Sequence, residues 1–142
     1  MLVKDLMAQQ VATVGPEEPV SVAARALSRN NVGCLPVCTA DGRLRGVVTD
    51  RDIVLRSVAA DEDAGQQLVR EIMSRRLVTA APEDPVALAV RRMEEAQVRR
   101  LPVTSRGRLV GMLSLGDVLH APGMTLEAGR ALEGISRNVR RG

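Results

Sequence analysis

The sequence predicts a mixed α/β (α+β) fold made of two tandem β-α-β-β-α repeats. Three observations predict it: the chain aligns with itself, each half passes from strand-like to helix-like apolar spacing and back, and Gly and Pro punctuate both halves at matching places. A chain of 142 residues is long enough to bury about two thirds of its unfolded surface around one core.

Displaced by 66 positions, Val3-Lys4-Asp5-Leu6-Met7 falls on Val69-Arg70-Glu71-Ile72-Met73, Thr13 on Thr79, Pro16 and Pro19 on Pro82 and Pro85, and Val32 to Val37 on Val98 to Val103. Between Val3 and Val37, 13 of 35 positions are identical, where chance gives about two. One deletion then changes the offset to 65 and sets Gly42-Arg43-Leu44 on Gly107-Arg108-Leu109. The gap falls in a turn, where length changes are tolerated.

Each repeat opens with a short helical turn around Leu6-Met7 or Ile72-Met73, followed by a strand ending near Thr13 or Thr79, and the paired prolines end that strand. Val22, Ala23, Ala26 and Leu27, with Leu88, Ala89 and Met93 in the second repeat, have the spacing of an amphipathic helix whose Arg25 and Arg29 face water. Leu35 to Cys38 and Leu44 to Val48 are apolar runs joined by Asp41-Gly42, and Arg106-Gly107 joins their equivalents; both read as hairpins. A final helix follows Thr49 or Ser114 and carries Ile53-Val54-Leu55 or Val118-Leu119. The boundaries are residues 2–58 for repeat one, 59–68 for a small, polar, acidic linker, 69–120 for repeat two and 121–142 for a basic helical tail. In the tail, Thr125 can cap a helix with an apolar stripe of Leu126, Ala128, Ala131, Leu132 and Ile135.

Composition narrows the function. With 45% hydrophobic and 26% charged residues, the chain is not disordered, and no apolar run approaches the roughly 20 residues of a membrane span. The first residues show no basic stretch leading into an apolar segment, so the expected compartment is the cytoplasm. Phe, Tyr and Trp are absent, which counts against a single-stranded nucleic-acid binder that stacks bases on aromatic rings. The net charge of +3 is modest, although Ser136 to Arg141 concentrates basic residues. Cys34 and Cys38 would lie about 13 Å apart along a strand, beyond the roughly 7 Å a disulfide allows, and read as buried thiols. Two cysteines and His120 are too few for a zinc site.

The most informative segments are Gly46-Val47-Val48-Thr49-Asp50-Arg51-Asp52-Ile53 and Gly111-Met112-Leu113-Ser114-Leu115-Gly116-Asp117-Val118. A glycine, hydrophobics, Ser or Thr, two variable residues, Asp and an aliphatic occur twice. With the Leu-Pro-Val strands and Thr-x-x-Pro turns, the chain resembles the CBS-domain family over about residues 2 to 120, as a stand-alone CBS pair (Bateman module) of bacterial or archaeal type. The resemblance implies a pseudo-twofold module with two clefts between the repeats, in which adenosine derivatives such as AMP, ADP, ATP or S-adenosylmethionine bind as effectors. It also implies a homodimer that regulates some partner, and no cofactor.

By position in the resemblance, Asp52 and Asp117 would accept from ribose hydroxyls, and Thr49 and Ser114 would bond the phosphate. Backbone groups near Thr13 and Thr79 would read the adenine edge, with Val32 and Val98 over its faces. The clefts should differ. Arg99 and Arg100 stand where repeat one has Gly33 and Cys34, and repeat one answers with Arg51 beside a repelling Asp50. Guanidinium groups pair well with phosphate, so the pocket carrying Arg100 and Asp117 is favoured. The same Ser/Thr-x-x-Asp segments are also capping boxes that need no ligand, so a ligand-free dimeric scaffold or interaction protein stands beside the sensor. No nucleophile is matched with a base, His120 has no counterpart in the other repeat, and no Walker motif is present; an enzyme is not expected.

Overall fold

A computed structural model describes residues 1–123 and 129–135 of the chain. Thr125, Leu126, Ala128 and the basic run from Ser136 to Arg141 lie outside the described residues.

The elements run α1 (Val3–Leu6), α2 (Val20–Asn30), β1 (Cys34–Cys38), β2 (Leu44–Thr49), α3 (Asp50–Ile53), a wide π-type turn (Val54–Val58), a 3₁₀ turn (Val69–Glu71), α4 (Val86–Ala96), β3 (Arg100–Ser105), β4 (Arg108–Ser114) and α5 (Leu115–Leu119). A further helical stretch spans 129–135. Among the described residues no helix is long and apolar enough to cross a membrane.

The chain forms two compact units, a contiguous one of Ala12–Leu77 and a split one of Met1–Val11 with Val78–Gly142. The compact units differ from the sequence repeats because each leading turn packs into the other repeat's core. Val69 and Ile72 are buried with Val20, Ala23, Leu35, Val37 and Val48, whereas Val3 is buried with Val86, Ala89, Met93, Leu101 and Leu113. The linker is correspondingly structured. Pro19 and Pro85 stand at the N-caps of α2 and α4 and offer no side-chain cap. Chain segments outside the helices accept instead: Val20 and Ser21 N–H donate to the carbonyls of Gln67 (2.8 Å) and Ala64 (2.9 Å), and Val86 N–H to that of Met1 (3.1 Å).

Both hairpins form. Thr39 N–H donates to the Arg43 carbonyl at 3.0 Å, closing a three-residue loop that ends on Gly42 at φ 84°. In the other unit Arg106 and Gly107, at φ 54° and 79°, make a two-residue loop, the primed turn that suits the twist of a hairpin. The one-residue deletion is the difference between these two loops.

The expected strand before each proline pair is reduced to one parallel bridge, Val14 with Val37 and Ala80 with Val103. Val14 N–H donates to the Pro36 carbonyl (3.1 Å), and Cys38 N–H donates to the Val14 carbonyl (2.9 Å). Pro36 has no N–H for the preceding rung, and Pro102 repeats the situation beside Ala80, so the pairing stops there. The glycines opening the two signature segments have a steric reason. A Cβ on Gly46 would lie 2.5 Å from the Ser74 carbonyl oxygen, and one on Gly111 would lie 2.8 Å from that of Ala8. Val47 and Ser74 exchange hydrogen bonds of 3.0 and 2.8 Å, as do Met112 and Ala8 at 2.9 Å each.

Arg25 and Arg29 are exposed, and the buried face of α2 is Val20, Ala23 and Leu27. The tail packs on its own chain, with Ala131 and Ile135 buried in the core of the split unit and Leu132 against it.

Candidate functional site

The signature segments place Thr49 and Ser114 at the N-caps of α3 and α5 with nearly identical geometry. Asp52 N–H donates to Thr49 Oγ1 at 3.1 Å and Thr49 N–H to Asp52 Oδ2 at 2.9 Å. Asp117 N–H donates to Ser114 Oγ at 3.0 Å and Ser114 N–H to Asp117 Oδ2 at 3.1 Å. Both are complete capping boxes, half-buried, and each uses Oδ2 of its carboxylate.

The charge around the two caps differs. In the split unit Arg99, Arg100 and Ser114 line a recess of about 260 Å³ with Leu115, Gly116, Leu119 and Leu132. Pairing of Arg100 with Ser114 across β3 and β4 and a 2.8 Å bond from Leu115 N–H to the Arg99 carbonyl bring these residues together. Among the described residues neither guanidinium has an ion-pair partner. In the contiguous unit Cys34 pairs with Thr49, and Asp50 N–H donates to the Gly33 carbonyl at 3.1 Å. Oδ2 of Asp50 lies 3.4 Å from where a Cβ of Gly33 would stand, and its Oδ1 accepts from Arg51 N–H at 2.8 Å. A carboxylate therefore sits in the contiguous unit at the place that corresponds to the arginine pair.

The remaining expected site residues are more scattered. Thr13 lines a separate open recess of about 590 Å³ with Glu17, Glu18, Cys38 and Thr39. Glu18 is held there by an Oε2 that accepts from Gly15 N–H at 2.9 Å. Val32 is half-buried against the contiguous core, whereas Val98 is 36% exposed. The Thr79 carbonyl already accepts from Arg92 Nη1 at 3.0 Å, and the same nitrogen is 2.9 Å from Asp84 Oδ2. Arg92 is not among the residues to which the sequence points. Its signal is visible in the internal alignment, where Ala26 stands opposite an arginine on an otherwise apolar face.

Cys34 and Cys38 are half-buried at the two ends of β1, where buried thiols were expected. Burial pushes the Cys38 thiol pKa up. His120 is exposed at the end of α5, its Nδ1 2.7 Å from the Gly116 carbonyl. Among the described residues no group of three or more His, Cys, Asp or Glu is placed to hold a metal ion.

The CBS domain family model matches residues 3–59 and 69–123. The CBS domain-containing protein YhcV of Bacillus subtilis is 42% identical over 134 residues, covering 94% of each chain. Of solved structures, Hypoxic Response Protein I, described with two coordinated zinc ions, is 35% identical with a TM-score of 0.80, over 86% of this chain and all of that one. The CBS domain pair of protein MJ0100, solved with 5-methylthioadenosine and S-adenosyl-L-methionine, is 27% identical with a TM-score of 0.75, over 92% and 98% of the two chains. With the duplicated strand-to-helix signature capped in the same way twice, these matches make the chain a member of the CBS domain family, carrying two CBS repeats.

Proposed function

We propose that the protein is a non-catalytic, cytoplasmic regulatory module whose effector is a phosphorylated adenosine derivative such as AMP, ADP or ATP. In this reading its anionic end is met by Arg99 and Arg100 beside Ser114. The observation that carries the reading is the arginine pair without a counter-charge beside one of two otherwise equivalent caps. A volume of about 260 Å³ is below that of a pocket enclosing a whole drug-sized ligand, so the recess suits the phosphate and adjacent ribose. The adenosine moiety of both molecules held by the MJ0100 module supports the ligand class. The arginines favour a phosphate over the sulfonium of S-adenosylmethionine. The module acts as a homodimer that regulates a protein partner.

Calorimetric titration tests this reading. AMP, ADP or ATP should bind with a dissociation constant below about 1 mM, equivalent to about −4 kcal/mol, and more tightly than adenosine. Arg100→Ala should weaken AMP more than adenosine. A second reading, a ligand-free scaffold, is supported by the two capping boxes, which satisfy Asp52 and Asp117 without a ligand; it predicts no heat with any nucleotide.

A further inference from the structure

Leu132 belongs at once to a core and to the arginine recess. Residues 129–135 of the tail are helical, with Ala131 and Ile135 buried in the core of the split unit and Leu132 half-buried against it. The same Leu132 lines the recess of about 260 Å³ together with Arg99, Arg100 and Ser114. The recess is therefore built partly by the second repeat and partly by a segment that follows it.

That segment is a weak helix. It contains Gly129 and Gly134, and glycine is the poorest helix former after proline. A Cβ on Gly134 would stand 3.1 Å from Glu94 Oε1, so the close approach to α4 accounts for that glycine. A Cβ on Gly129 would meet nothing within 4 Å, so this glycine lowers helix stability without relieving any contact. Packing of Ala131, Leu132 and Ile135, rather than helix propensity, holds 129–135 in place, which puts the element at the low end of local stability. Arg130, two positions before Leu132, is exposed and has no ion-pair partner among the described residues, as is true of Arg99 and Arg100. The helix thus brings a third guanidinium to a neighbourhood that already carries two, and like charges at such range repel.

Resting on the phosphate-binding reading above, we infer that helix 129–135 reads the occupancy of the arginine recess: an anion bound there fastens the helix to its core, and its departure leaves the helix weakly held. The ligand gains from Leu132 an apolar wall that keeps water from the guanidinium–phosphate pairs, where a lower dielectric strengthens them. The helix gains cover for Leu132 and relief of the like charge. Such coupling is reciprocal, so a change that loosens the helix weakens the ligand by the factor through which the ligand tightens the helix.

Hydrogen exchange read by mass spectrometry on the full chain, with and without saturating AMP, tests it beside calorimetry on two tail variants. Amides of 129–135 should exchange about 10-fold more slowly with AMP bound, with a smaller change in α2 of the contiguous unit. Ile135→Ser, which lies outside the recess lining, should weaken AMP about 10-fold. Gly129→Ala, which strengthens the helix without a steric conflict, should tighten AMP by up to about 5-fold. If Ile135→Ser unfolds the protein, the direction of the Gly129→Ala effect decides alone. Weaker AMP binding by Gly129→Ala, or tighter binding by Ile135→Ser, would mean that helix and ligand compete and would overturn the inference. AMP that binds the wild type with equal exchange in 129–135 would overturn the coupling while leaving the ligand reading standing, and no binding of AMP would overturn both.

Discussion

Arg92 holds the carbonyl of Thr79 and the carboxylate of Asp84 through a single nitrogen, at 3.0 and 2.9 Å. It ties the segment entering the second repeat to the turn before α4, and Asp84 extends the link by accepting from Ala81 N–H at 2.8 Å. Repeat one has Ala26 in place of Arg92, so the tie exists once. An adenine amino group reaching Thr79 would share its acceptor with a guanidinium, whereas one reaching Thr13 would meet Glu17 and Glu18 in the surrounding recess.

Arg92→Ala should therefore destabilise the protein by about 1 kcal/mol, a charge-assisted link reduced by its partial exposure. Neighbouring Arg91→Ala, on the exposed face, should change stability by less than about 0.5 kcal/mol. Urea denaturation of both variants checks the difference. Equal effects would remove the structural role assigned to Arg92.

The glycines of the signature should be intolerant for steric reasons. Gly46→Ala and Gly111→Ala would drive a methyl group into a backbone carbonyl, which should cost at least about 2 kcal/mol. Gly42→Ala meets open space but must adopt φ 84°, so its cost should be nearer 1 kcal/mol. Thermal unfolding of the three variants would rank them, and an equal cost at all three would refute the close-approach explanation.

Gln97 ends α4 in the left-handed region at φ 59°, as Asn31 does for α2 at φ 52°. Asparagine tolerates that conformation better than glutamine. Gln97→Gly should thus stabilise by about 0.5 to 1 kcal/mol, and Asn31→Gly by less. A midpoint shift in urea measures both.

Burial of the Cys38 thiol makes its thiolate scarcer at a given pH. Iodoacetamide at about pH 8 should alkylate Cys38 more slowly in the folded protein than after denaturation in urea. Because the folded pKa lies above the unfolded one, this thiol's contribution to stability is complete below the unfolded pKa. It is lost as pH rises through the folded pKa. Alkylation followed by mass spectrometry gives the rate, and equal rates in the two states would contradict the burial effect.

The repeat, its hairpins and both caps were legible because they rest on local spacing: two Ser/Thr-x-x-Asp segments, turn glycines and the period of α2. The expected first strand is only a single bridge, because an apolar entry segment shows no sign that Pro36 and Pro102 restrict its partner. Exchange of the leading turns was not legible either. Val3 and Val69 match one another in sequence, and nothing local tells which core each will enter. The difference in charge between the caps could be read from Arg99, Arg100 and Asp50, whereas the Arg92 link needed the fold to bring residues 79, 84 and 92 together.

The two caps are alike in structure and unlike in charge, and calorimetry with AMP on Asp52→Ala and Asp117→Ala, beside their urea denaturation, tests the consequence of that difference most directly. Each substitution removes the same cap and should cost about 1 kcal/mol of stability. Asp117→Ala should also weaken AMP by roughly 10- to 100-fold through lost charge-assisted bonds, with a clearly smaller effect from Asp52→Ala. Equal losses of stability with unchanged AMP affinity would leave the carboxylates as caps alone, and a larger loss of affinity in Asp52→Ala would contradict the assignment of the ligand to the arginine pair.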